Sequence, residues 1–154
     1  MFRSLLLLPL AATCLGQFVN QDPKVLNLTV VKVPGGDNVT ISYKEPTGAC
    51  KTAFDRQKQL TGWVNLPGDY PTNLFFWFVE AREPTTSLTI WLNGGPGSSS
   101  FFGFFDGNGP CLVLEKGRDQ LETVAAEWGW DRGSNMLFID QVCPTRVCWP
   151  LTSC

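Results

Sequence analysis

No histidine occurs anywhere in the 154 residues. Imidazole is the side chain that accepts and returns a proton near neutral pH without strong perturbation, so these residues alone cannot run a Ser-His-Asp relay. The same absence weakens any zinc or haem reading, and neither a metal nor another cofactor is implied. Positive charge has no organised pattern. The 12 Lys and Arg residues are scattered, 14 acidic residues outnumber them, and the net charge is −2. A protein held to nucleic acid by its phosphates shows a basic stripe, so nucleic acid is not an indicated partner.

Long apolar runs are missing as well. Leu5 to Ala12 is too short to span a membrane, and no later segment is long and apolar enough. Preceded by Arg3 and followed by Cys14-Leu15-Gly16, which puts small residues at −3 and −1 of a cut, this run reads as a signal peptide over 1–16. No internal repeat or low-complexity tract follows, and the length bounds the remainder to one domain. Asn27-Leu28-Thr29 and Asn38-Val39-Thr40 are sequons, which makes Asn27 and Asn38 candidate glycosylation sites on the secretory route. That route also permits disulfides. With Cys14 lost to the signal, Cys50, Cys111, Cys143, Cys148 and Cys154 remain, an odd set that points to a missing partner or an altered tail.

What is present is core material, 44% hydrophobic and 12% aromatic. Leu28 to Val33 and Val39 to Tyr43 read as strands joined by the turn residues Pro34 to Asn38. Gln59 to Leu66, Leu88 to Leu92 and Met136 to Ile139 read as further strands. Asn73 to Ala81 is nearly all apolar, the pattern of a strand buried on both faces. Arg118 to Trp128 carries Leu121, Val124, Ala125 and Trp128 at near-helical spacing and predicts a short helix or irregular coil. Core or loop packing, not a carbohydrate platform or ligand cage, is the expected role of Phe75 to Phe78 and of Trp128 and Trp130.

Trp91-Leu92-Asn93-Gly94-Gly95-Pro96-Gly97-Ser98-Ser99-Ser100 stands apart from these elements. A β-prone run enters it and the Phe-rich run Phe101 to Phe105 leaves it, with serines able to cap a helix start. Between them the glycines and proline stop any regular element. N–H groups converging at such a turn form a nest for negative charge, and a neutral Asn beside it adds a donor. Stabilisation of an oxyanion, or capture of a carboxylate, suits such a loop. A tight turn without a ligand is the competing reading.

The segment from Trp91 to Ser100, followed by Gly103-Phe104-Phe105 and Asn108-Gly109-Pro110-Cys111, closely resembles the serine carboxypeptidases of the α/β-hydrolase superfamily, with the triple serine of their fungal branch. The resemblance extends back through Leu74 to Phe78 and Gly62-Trp63-Val64, and forward to Asn135 to Gln141. It implies an α/β fold (the α/β-hydrolase fold) of which the N-terminal, mostly β strands and the oxyanion-loop region are present, over residues 17–141. The family pattern breaks after Gln141, which leaves 142–154 as a divergent tail whose cysteines match no zinc signature. A reading-frame change, a retained intron or a gene-model error after Gln141 would explain that break.

By this resemblance, Asn93 and Gly94 hold the C-terminal carboxylate of a peptide or protein substrate, and the Gly95 N–H forms part of the oxyanion hole. Cys50 stands where fungal relatives have a disulfide-bonded cysteine. The family's nucleophile sits in a Gly-x-Ser-x-Gly elbow, which is absent here. The expectation is therefore a serine-type carboxypeptidase by ancestry whose 154 residues are inactive as they stand, secreted or vacuolar. Alternatives are an acyltransferase-type relative, a β-rich module that binds peptide C-termini without cleaving them, or a non-functional product. Oligomeric state is not indicated.

Overall fold

The computed structural model describes residues 27–69, 71–95 and 97–141. The signal over 1–16 and the tail over 142–154 lie outside the described residues. Among the described residues, no helix is long and apolar enough to cross a membrane.

Six strands form one mixed sheet. Strands β1 (Thr29–Lys32), β2 (Thr40–Lys44), β3 (Gln59–Leu66) and β4 (Thr72–Val79) run as an antiparallel meander. The chain then leaves and returns. β5 (Leu88–Trp91) takes the far edge, and β8 (Asn135–Asp140) inserts between it and β4, antiparallel to β4 and parallel to β5. The insertion is favoured because β8 is a short apolar run that can be covered on both sides, as an inner strand requires. β4 behaves alike: Phe76 and Trp77 point to opposite faces and both are buried.

The Phe-rich run forms helix α1 (Phe101–Phe105). Five residues cannot sustain a helix on propensity alone, so packing must hold it. Phe104 is fully buried, its ring 4.5 Å from that of Trp77 and 4.9 Å from that of Phe138. Phe101 meets Phe75 at 5.3 Å. This lays α1 across β4 and β8 and fixes where the preceding loop must end.

Residues 118–128 do not form the helix or coil that their spacing predicts. β6 (Cys111–Gly117) and β7 (Gln120–Ala125) make a two-stranded antiparallel hairpin. Arg118 and Asp119 turn the chain, and Asp119 takes the left-handed conformation (φ +64°) that short polar side chains tolerate. The apparent helical stripe is no buried face, since Leu121 is 74% and Trp128 is 72% exposed. Lys116 reaches across the hairpin to Glu122 at 2.8 Å, and this hydrogen bond, with the attraction behind it, holds the ammonium above the usual lysine range. Cys50 bonds to Cys111, so the disulfide expected at Cys50 ties the loop before β3 to the start of β6. The tryptophans serve loop packing: Arg132 stacks over Trp128, and Trp130 meets Trp91 edge-on.

Candidate functional site

β5 delivers the chain to the edge of the sheet at Trp91, and α1 begins ten residues later at Phe101. The glycine loop lies between. Its approach to α1 depends on Gly103, where a Cβ would sit 2.3 Å from the Trp91 indole nitrogen and 3.1 Å from Asn93 Oδ1. Only a bare backbone lets the helix come that close.

Asn93 is half-buried and held from several directions. The Trp91 indole N–H donates to its Oδ1 at 2.8 Å. Its backbone N–H donates to Ser100 Oγ at 3.1 Å, and its carbonyl accepts from Gln141 Nε2 at 2.5 Å. With Oδ1 committed to the indole, the side chain presents Nδ2 as its remaining donor, and the nearest acceptor to it, Ser98 Oγ, stands at 3.5 Å. That distance leaves the N–H free to take a better acceptor.

Gly94, Gly95 and Gly97 are exposed. Among the described residues, the N–H groups of Gly94 and Gly95 donate to no protein acceptor. Gly97 has φ +86°, a conformation that favours glycine. A Cβ on Gly95 would lie 2.9 Å from Gly97 N and 3.0 Å from Ser98 N, so the backbone folds back on itself there. Gly94 differs: a Cβ on it would meet nothing within 4 Å.

The serines act differently from simple helix caps. Ser100, at the cap position, makes no side-chain capping bond, because its hydroxyl turns back to Asn93. Ser99 Oγ accepts from Phe101 N at 3.2 Å and donates to Asp140 Oδ2 at 3.0 Å. Asp140 Oδ1 also accepts from the Ser100 N–H at 3.4 Å.

The sequence-predicted residues Asn93, Gly94 and Gly95 therefore share one loop, half-buried at Asn93 and exposed at the two glycines. Asn27 and Asn38 lie apart, in exposed turns with φ +53° and +62°. Sequence reasoning missed the supports: Trp91, Ser100, Asp140 and Gln141. A Trp two residues before an Asn, at the end of an edge strand, was a usable signal, and Ser100 lies in the loop itself; Asp140 and Gln141 come from the end of a strand distant in sequence. Also missed was a buried anchor between the turn after β4 and the segment before β8. Arg82 Nε and Nη2 grip Asp131 at 2.9 and 3.0 Å, and Gln57 Nε2 adds a bond to the same carboxylate at 2.9 Å. Asp131 is fully buried and sits next to Trp130, whose N–H bonds Asn108 at 3.0 Å. No cluster of metal-ligating side chains is present among the described residues.

Neutral donors on a glycine loop can stabilise an anionic oxygen without a neighbouring cation. A family model described as serine carboxypeptidase matches residues 48–147. Carboxypeptidase S1 homolog A of Arthroderma benhamiae is 44% identical over 136 residues, covering 81% of this chain and 20% of the relative. The protein of the same name from Trichophyton rubrum is 45% identical over the same span and shares. A carboxypeptidase Y homolog of Arthroderma benhamiae is 35% identical over 130 residues, 77% of this chain and 20% of the relative. The chain thus spans 20% of the length of these relatives. On the strength of a match that takes in β3 through β8 and the whole glycine loop, this chain belongs to the serine carboxypeptidase family.

Proposed function

We propose that Trp91 to Ser100 forms the carboxylate-binding and oxyanion wall of a serine-type carboxypeptidase site. Asn93 Nδ2 and the Gly94 N–H hold the free C-terminal carboxylate of a peptide or protein, and the Gly95 N–H stabilises the developing oxyanion. One such oxyanion donor supplies about 3–4 kcal/mol in the transition state of acyl transfer. The observation that carries this reading is the commitment of Asn93: three of its polar groups are bonded within the protein at 3.1 Å or less, and the fourth, Nδ2, has only a 3.5 Å bond to Ser98 Oγ, beside glycine amides that donate to no acceptor among the described residues. With no histidine and no nucleophile elbow, these 154 residues by themselves bind and do not cleave. The chain follows the secretory route to a secreted or vacuolar destination, which the Cys50–Cys111 bond and the exposed sequons Asn27 and Asn38 support.

The test is an NMR titration with an N-acetylated peptide bearing a free C-terminus and with the same peptide as its C-terminal amide. The free carboxylate moves the Asn93 side-chain and Gly94 signals, with a dissociation constant of about 1 mM, equivalent to about 4 kcal/mol. The amide is at least tenfold weaker, and no C-terminal residue is released. Equal effects of the two peptides would remove the carboxylate from the reading. A second reading, capture of C-termini without cleavage as the chain's own role, is favoured by the absence of histidine. It predicts binding about a thousandfold tighter in the same titration, because a dedicated module must hold its ligand unaided.

A further inference from the structure

Both ends of the glycine loop are fastened to one point. At the entry, Gln141 Nε2 donates to the Asn93 carbonyl at 2.5 Å. At the exit, Asp140 accepts from the Ser99 hydroxyl at 3.0 Å and from the Ser100 N–H at 3.4 Å. Ser100, fully buried, then closes the ring by accepting the Asn93 N–H at 3.1 Å. Asp140 therefore holds the residue that holds Asn93, while Gln141 holds Asn93 directly.

We propose that Asp140 and Gln141 are positioning residues that clamp the loop and fix the backbone of Asn93. Their value to carboxylate recognition rests on the reading of Asn93 given above. Adjacent residues on a strand point to opposite faces, which would stop both from reaching one loop. Asp140 is the last residue of β8 and Gln141 lies one past it, where the pleat no longer dictates direction. β8 is also the inner strand between β4 and β5. The clamp therefore refers the loop to a part of the sheet paired on both sides, whereas β5, from which the loop springs, is an edge. Without it, the Trp91–Asn93 bond would orient a side chain on a backbone free to drift, and its N–H would meet a carboxylate in a range of directions.

Isosteric variants separate hydrogen bonding from packing. Gln141→Glu replaces the donor with an acceptor facing the Asn93 carbonyl, and Asp140→Asn gives up one of the two acceptor oxygens; neither alters volume. Amide hydrogen exchange in the peptide-free chain reads the clamp without any ligand. Both variants should speed exchange at Asn93 and Ser100 by at least tenfold while exchange across β3 and β4 stays as in the parent. Gln141→Ala should show the same change more mildly than Gln141→Glu, an order that lost packing would reverse. Affinity for the free-carboxylate peptide should fall about tenfold, with the C-terminal amide unaffected. Unchanged exchange at Asn93 and Ser100 in all three variants overturns the clamp. Faster exchange in a chain whose parent shows no carboxylate-dependent binding supports the clamp and overturns the assignment of Asn93.

Discussion

At Gly94 a methyl group would point into open space, whereas at Gly103 it would lie 2.3 Å from the Trp91 indole nitrogen. Packing accounts for Gly103 but does not require a glycine at 94, which fits the proposal that the bare backbone there receives a carboxylate from outside. Gly94→Ala should leave the unfolding free energy unchanged or raise it by about 0.4–1 kcal/mol, since a side chain restricts the unfolded chain more than the folded one. It should abolish the effect of a free-carboxylate peptide. Chemical denaturation and the peptide titration together check this, and lost stability with intact binding would reverse the assignment. Asp131 presents the opposite case, a residue whose role is internal. Replacing it with Asn would strip the charge from a fully buried partner of Arg82, and breaking such a pair costs about 3–5 kcal/mol. Urea unfolding of Asp131→Asn measures that loss. The Asn-Gly-Gly-Pro-Gly loop was legible because its residue types and spacing are local. The Arg82–Asp131 grip was not, because its partners stand 49 residues apart and nothing in the neighbourhood of either names the other.

Among the elements, the strands of the meander were legible because burial on a pleated surface writes itself into residue type: Gln59–Leu66 forms as read, and the others begin or end within two residues of their expected limits. The second arm of the hairpin, β7, was misread because period 3.6 and period 2 both fit a few apolar residues when a strand is largely unburied, whereas Cys111 to Leu114, the start of β6, reads as extended. The turn at Arg118-Asp119 is what decides it, through the left-handed Asp119. This hairpin touches the rest of the fold through few buried side chains, and Cys111, fully buried at the start of β6, is tied to Cys50. The bond closes a loop of 61 residues, for which the chain-entropy model gives about 4 kcal/mol. Denaturation with and without a thiol reductant should differ by roughly that amount, with the hairpin's amides losing protection first; coincident curves would show that packing alone holds it.

For the whole molecule, family membership implies the α/β-hydrolase fold, and the described residues give a mixed sheet with one short helix and a hairpin. The position of β8 between β4 and β5 was not legible, since local pattern marks a strand as buried without saying between which neighbours. β5 forms an edge of the sheet, and Leu88 and Ile90 on it are 55% and 54% exposed. An apolar edge with unpaired backbone groups is a template for association. The purified chain should self-associate with rising concentration, and Ile90→Lys should shift that onset upward by sedimentation velocity while changing the unfolding free energy by less than about 0.5 kcal/mol. The central claim is that a pocket for anionic oxygen stands here apart from any proton relay. The most direct measurement is a single titration of the chain with a free-carboxylate peptide, followed at Asn93 and Gly94 by NMR and at the peptide by mass spectrometry. The predicted result is saturable, carboxylate-dependent shifts with the peptide intact. Release of its C-terminal residue, or shifts indifferent to the carboxylate, would contradict it.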